Sequence, residues 1–221
     1  MNISFEDIIK EKCPSLNVML VEADVVNAPT SEELEAVLDD VCMEIAGRYQ
    51  LGEINKRPGI AATRAAYKAL GKEPNRYRPA NEQLCRRVVR GLGLYRVNAL
   101  VDVINVMSLR SGYAIGGFDA DKIIGDTLTL GVGRHEEPYE GIGRGSLNIE
   151  NMPVFRDEVG GVGTPTSDNE RTKLSLDTRR LVMTVNMYGE EMPPAGFVEM
   201  ATGLLERFVS VTDIRITLHK P

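Results

Sequence analysis

Few residues in the chain could do covalent chemistry. The two histidines, His135 and His219, lie in a charged turn (Arg134-His-Glu-Glu-Pro138) and close to the C-terminus. Neither stands in a nucleophile pattern, so a Ser-His-Asp or Cys-His relay has no basis. Cys13, Cys42 and Cys85 are scattered, odd in number and outside any metal-ligand spacing, and read as buried or spare thiols. No metal and no cofactor is implied. Gly141-Ile-Gly-Arg-Gly145 has the glycines of a phosphate loop but lacks its lysine and its strand-to-helix setting, and reads as a plain loop. Charge is more informative. From Gly47 to Arg110 there are 13 Lys+Arg against 4 Asp+Glu, a local +9 in a chain whose net charge is −6. A basic segment in an acidic protein can attract a polyanion through one face. Arg76, Arg78, Arg86, Arg87 and Arg90 are its candidate phosphate contacts.

The elements that must position these residues follow from periodicity. Leu16 to Val26 reads as a buried strand. Thr30-Ser-Glu-Glu33 has the form of a capping box, and Leu34, Val37, Leu38, Val41 and Ile45 continue it as a helix to about Tyr49. Pro58 to Leu70, stopped by Gly71, and about Asn81 to Arg90, stopped by Gly91, predict two more helices. Asn98 to Arg110 is apolar almost all round; its Asn cap and the following Gly112 favour a buried helix over a strand. Beyond Tyr113 the period becomes two, in Thr127 to Val132, Leu181 to Tyr188 and Ile214 to Leu218, with one late helix from about Ala195 to Phe208. This predicts an α+β fold, one domain over residues 1–221, with N-terminal helices packed on a mostly antiparallel sheet. No run approaches the roughly 18 apolar residues of a membrane span. The N-terminus carries acids where a secretory signal carries bases. The expectation is a soluble cytoplasmic protein.

Three stretches stand out in series. Gly71-Lys-Glu-Pro-Asn-Arg-Tyr-Arg-Pro79 leads to Arg86, Arg87 and Arg90. Asn98-Ala-Leu-Val-Asp-Val-Ile-Asn105 ends in Ser108-Leu-Arg-Ser-Gly112. Gly117-Phe-Asp-Ala-Asp-Lys-Ile123 follows. Together they resemble the editing module of the phenylalanyl-tRNA synthetase beta subunit, where an N-x-x-V-D-x-x-N helix leads through a glycine turn to an F-D-x-D-K-I strand. The opening Gly-Lys-x-Pro-x-Arg-Tyr-Arg-Pro is closer to free-standing relatives of that module. The similarity runs from about Gly59 to Val185.

The resemblance implies a free-standing protein that binds tRNA or aminoacyl-tRNA and hydrolyses a wrongly attached amino acid, tyrosine on phenylalanine tRNA being the family-based expectation. It also implies an amino-acid pocket of Asn105, Gly116, Gly117 and Glu170. Glu170, ahead of Asp177-Thr-Arg-Arg-Leu-Val-Met183, matches a family glutamate that accepts the tyrosine hydroxyl. Leaving such a buried acceptor unpaired would disfavour phenylalanine. Asp119, Asp121 and Lys122 are assigned structural roles. One departure matters: the family carries histidine two residues before the Phe-Asp pair, and here Ala114-Ile-Gly-Gly-Phe-Asp119 puts Gly116 there. No catalytic residue is therefore assigned, and whether the chain is an enzyme stays open. A histidine at 116 is expected to raise hydrolysis if the pocket is the family's. The alternatives are a non-catalytic module for tRNA or an amino acid, and a structural subunit whose acidic surface meets a protein partner. Nothing resembles the catalytic core of a synthetase, so aminoacylation by this chain is not expected.

Overall fold

The computed structural model describes residues 1–221. The chain opens with β1 (Asn2–Phe5), α1 (Asp7–Lys12) and β2 (Asn17–Val26). Four helices follow: α2 (Glu32–Arg48), α3 (Pro58–Ala69), α4 (Ala80–Val89) and α5 (Ala99–Ser111). Past Gly112 come β3 (Ala114–Asp119), β4 (Thr127–Val132), the short ribbon β5 (Glu140–Gly141) and β6 (Gly145–Ser146), β7 (Pro153–Arg156), β8 (Gly161–Gly163) and β9 (Arg180–Met187). The helix α6 (Pro194–Phe208) and the strand β10 (Ser210–His219) close the chain.

The strands form two four-stranded sheets. One has the order β10-β2-β9-β3, antiparallel throughout; the other has the order β1-β4-β7-β8, antiparallel except for the β1–β4 pair. In the first sheet, alternate residues divide cleanly between two cores, as the period-two pleat requires. Met19, Val21, Ala23 and Val25 of β2, with Leu181, Met183, Val185 and Met187 of β9, join a core with residues of α2, α5 and α6. Val18, Leu20 and Val182 point the other way, into a core with Leu128, Leu130 and Phe155 of the second sheet. The fold is α+β, layered as helices, sheet and second sheet. The early strand β2 lies between β9 and the C-terminal strand β10, while β1 joins the edge of the other sheet.

Helix α5 is the buried helix its composition predicts. Asn98 caps it by accepting the N–H of Val101, and Gly112 ends it in the left-handed region at φ 74°. A side chain at 112 would also run into the Glu191 carboxylate. That carboxylate pairs with Arg57, whose guanidinium donates to the Leu109 carbonyl and lies over the Tyr49 ring, tying α3, α5 and the approach to α6 together. Helix α2 differs from expectation by one residue. Ser31, not Thr30, accepts the N–H of Leu34 as its cap. Thr30 gives its hydroxyl instead to the buried carboxylate of Asp102, 2.5 Å away. A partner far along the chain outbids the local cap, and no local pattern reveals it. Asp119 is buried and accepts from Thr178 and its own turn, while Lys122 pairs with it.

Candidate functional site

The strand β3 is the edge of its sheet, and its two adjacent glycines face opposite ways. A Cβ on Gly117 would meet Ile104 Cδ1 of α5 at 2.5 Å and Leu174 Cδ1 at 2.9 Å. A Cβ on Gly116 would meet Phe118 Cζ at 2.7 Å, Asp168 Oδ1 at 3.0 Å and Thr184 Oγ1 at 3.2 Å. The glycines are there because other groups come too close for anything larger. The Phe118 ring is received on its far side by Gly163, where a Cβ would lie 2.5 Å from Cζ and 3.2 Å from Asp168 Oδ1. Two glycines from different sheets thus make room for one ring and one carboxylate.

That carboxylate is the centre of the site. Asp168 Oδ2 accepts the N–H of Gly117 at 3.0 Å, closing part of the sheet edge. Its Oδ1 takes no hydrogen bond from the protein and faces the same spot as Thr184 Oγ1, a fully buried hydroxyl that also lacks a partner. Burial pushes the Asp168 carboxyl up to about 7, the Gly117 N–H pulling weakly the other way. The loop that carries it is pinned. Thr164 Oγ1 accepts the N–H groups of Thr166 and Ser167, Tyr139 donates to the Ser167 carbonyl, and the Tyr67 hydroxyl meets Thr166 Oγ1. A carboxylate with a free oxygen, held rigidly and titrating near neutrality, is equipped to accept a proton or pair with a cation.

The sequence-derived pocket is changed by these contacts. Gly116 and Gly117 are in it, but neither Asn105 nor Glu170 is among the groups nearest to them. Asn105 is half-buried on α5, on the helix side of the sheet. Glu170 is exposed on the short turn Glu170–Thr172 and ion-paired with Lys173. An acceptor open to water has no unpaired state to penalise, so the expected selectivity by burial does not apply to Glu170 in this conformation. Asp168, two residues earlier, is half-buried and is the acid that turns toward Gly117. The sequence hides it in a polar stretch (Thr166-Ser-Asp-Asn-Glu170) that reads as a solvated loop. The available signal is the Gly-Gly pair inside a strand, which announces that something approaches closely.

Position 116 also has no space for a histidine. Gly116→Ala is expected to cost about 1–3 kcal/mol through contact with Phe118 and Asp168, and Gly116→His more, with no gain in hydrolysis. Thermal melts of the two variants check this, and a histidine variant as stable as the parent would contradict it.

The arginines gather on one groove of about 390 Å³. Arg78, Arg86, Arg87 and Arg90 line it with Gln83 and Leu92; Arg76 does not, and lies over Tyr77. The groove is organised by Glu82 of α4, a carboxylate with no exposure. Arg64 and Arg86 each approach it at 2.7 Å and Arg78 at 3.9 Å. The β5–β6 hairpin connects groove and carboxylate: Arg144 bonds Gln83, and Ile142 N–H donates to the Asp168 carbonyl. No helix is long and apolar enough to cross a membrane.

A family model described as the B3/4 domain matches residues 62–216, more than half of the chain. The chain belongs to the B3/4 domain family. Among curated proteins, the phenylalanine–tRNA ligase beta subunit of Bartonella henselae is 33% identical over 106 residues. That stretch is 47% of this chain and 13% of the ligase subunit, so the present B3/4 chain corresponds to a small part of its relative. An N-terminal fragment of the phenylalanyl-tRNA synthetase beta subunit from Pyrococcus horikoshii aligns over 95% of this chain and 50% of its own, at 13% identity and a TM-score of 0.44. The family match and the 33% identical beta-subunit stretch bear out the resemblance to a synthetase beta-chain module read from the sequence.

Proposed function

We propose that this B3/4 protein binds the 3′ end of an aminoacyl-tRNA and hydrolyses the ester that joins amino acid to ribose, with Asp168 as the base. The observation that carries the reading is the Asp168 carboxylate beside Gly116, with one oxygen unpartnered and a pKa near neutrality. In the proposed step a water oxygen bonds to the ester carbonyl carbon while Asp168 takes the water proton. The carbon–ribose oxygen bond then breaks and the proton passes to the ribose oxygen, leaving free amino acid and free tRNA. A base is most useful when its pKa lies near the working pH. The histidine absent at 116 is thus replaced by a carboxylate arriving from another loop at the place its side chain would occupy. Tyrosine on phenylalanine tRNA is the substrate that kinship with the phenylalanine ligase suggests.

The second reading is a module that binds without catalysis, in which ionised Asp168 pairs with the amino acid's ammonium group. Gly116 in place of a polar side chain favours it. Deacylation of a panel of mischarged tRNAs by the wild type and by Asp168→Asn separates the two. The hydrolase reading expects release of one amino acid class, falling on the order of 100-fold or more in the variant, as removal of a proton-transfer group does. Release equal in both, or in neither, would overturn it.

A further inference from the structure

We propose that the arginine groove and Tyr95 form a site for single-stranded RNA, with phosphates on the guanidiniums and one unstacked base on the tyrosine ring. This deepens the tRNA reading above by naming the part of the RNA that is held.

The groove divides its arginines by role. Arg86 is held by Glu82 and the Leu51 carbonyl, and Arg87 by the carbonyls of Gly93 and Leu92. Arg78, beyond its distant approach to Glu82, and Arg90 make no side-chain hydrogen bonds. Two fixed charges and two free ones suit a phosphate chain that needs both a wall and adaptable contacts.

Beside them the chain leaves α4 through Gly91 and Gly93, both in the left-handed region at φ 73° and 57°, and exposes Leu92 and Tyr95. Tyr95 is 71% exposed, a large apolar area that ordinary packing would cover. The Arg87 guanidinium lies over its ring, 4.2 Å from the centroid. The same guanidinium bonds two carbonyls of the loop, so the ring is fixed at the groove's rim with much of its surface open. An aromatic platform next to a positive groove is how proteins hold single strands without reading sequence. A duplex keeps its base faces stacked inside and could use only the arginines.

The test is fluorescence anisotropy with a labelled single-stranded RNA of roughly ten nucleotides, a length within the usual single-strand site size, and the same RNA annealed to its complement. The expected result is tighter binding of the single strand, weakened roughly tenfold by Tyr95→Ala and restored by Tyr95→Phe, as stacking requires. Arg90→Glu should flatten the salt dependence, whereas Tyr95→Ala should leave its slope unchanged. Equal binding of duplex and single strand, indifference to Tyr95→Ala, or no binding of either at low salt would overturn the proposal; the last would leave a protein partner as the groove's occupant. The probe carries no amino acid. Loss of the deacylase reading therefore leaves this result standing. Deacylation of a short aminoacyl ester with no RNA binding would remove this proposal alone.

Discussion

Asp168→Asn should melt at a higher temperature than the wild type at pH 8 and at nearly the same temperature near pH 4. An acid at its ordinary value of 3.8, raised by burial to about 7, binds its proton more tightly in the folded chain than in the unfolded one. Folding therefore takes up a proton between about pH 4 and pH 7. Stability linked to the protonated form is full below that window and is lost as pH rises through about 7. At about 1.4 kcal/mol per unit the upper limit is about 4 kcal/mol, and the residue's partial contact with solvent reduces this to roughly 2. Asparagine keeps an oxygen for the Gly117 N–H and carries no charge, so it should recover that cost. For a chain of this size, a rise of roughly 5 °C at pH 8 follows. A carboxylate kept for stability would do the opposite, and a fall in melting temperature at pH 8 would contradict the assignment. Stability gained where function is lost is the mark of a group held for chemistry.

Glu82→Gln should have a large effect of opposite sign. Glu82 has no exposure, and Arg64 and Arg86, which close on it, are 11% and 19% exposed in their side chains. Removing the charge leaves two poorly hydrated guanidiniums without their counter-ion, a change that typically costs about 3–5 kcal/mol. Arg64 retains Asn75 and the Pro74 carbonyl, and Arg86 retains the Leu51 carbonyl, so the lower end is expected. Chemical denaturation should show this as a shift in midpoint with the slope preserved. A loss below about 1 kcal/mol, the scale of a surface pair, would mean that the arginines do not depend on Glu82. RNA binding at a temperature where the variant is folded should weaken too, because Glu82 orients Arg86 in the groove.

Much of the helical half was legible because its signals are local. Pro58 opens α3, Asn98 and Gly112 bound α5, and the apolar spacing of α2 fixes its buried face. The strands β1 and β8 were not legible. Each is short, and each is defined by pairing, β1 with β4 across more than a hundred residues. That the strands divide into two sheets is likewise a matter of partners. The candidate site shows the same limit. Gly116 and Gly117 could be marked from a family pattern, and most of the groove arginines from their spacing. Asp168 could not, because its surroundings come from β3, β8, β9 and Tyr139, and only the fold turns a polar loop residue into a half-buried acid aimed at the sheet edge. Glu170 follows from its match to a family glutamate ahead of β9, but two residues of turn geometry leave it exposed and turn Asp168 toward Gly117.

The most direct test is the pH dependence of single-turnover deacylation of mischarged tRNA by the wild type. With Asp168 as the base, the rate should climb about tenfold per pH unit below about 7 and level off above it, and Asp168→Asn should lose both the rate and the inflection. A rate independent of pH from 5 to 8, or an inflection that survives in Asp168→Asn, would contradict the assignment of Asp168 as the base.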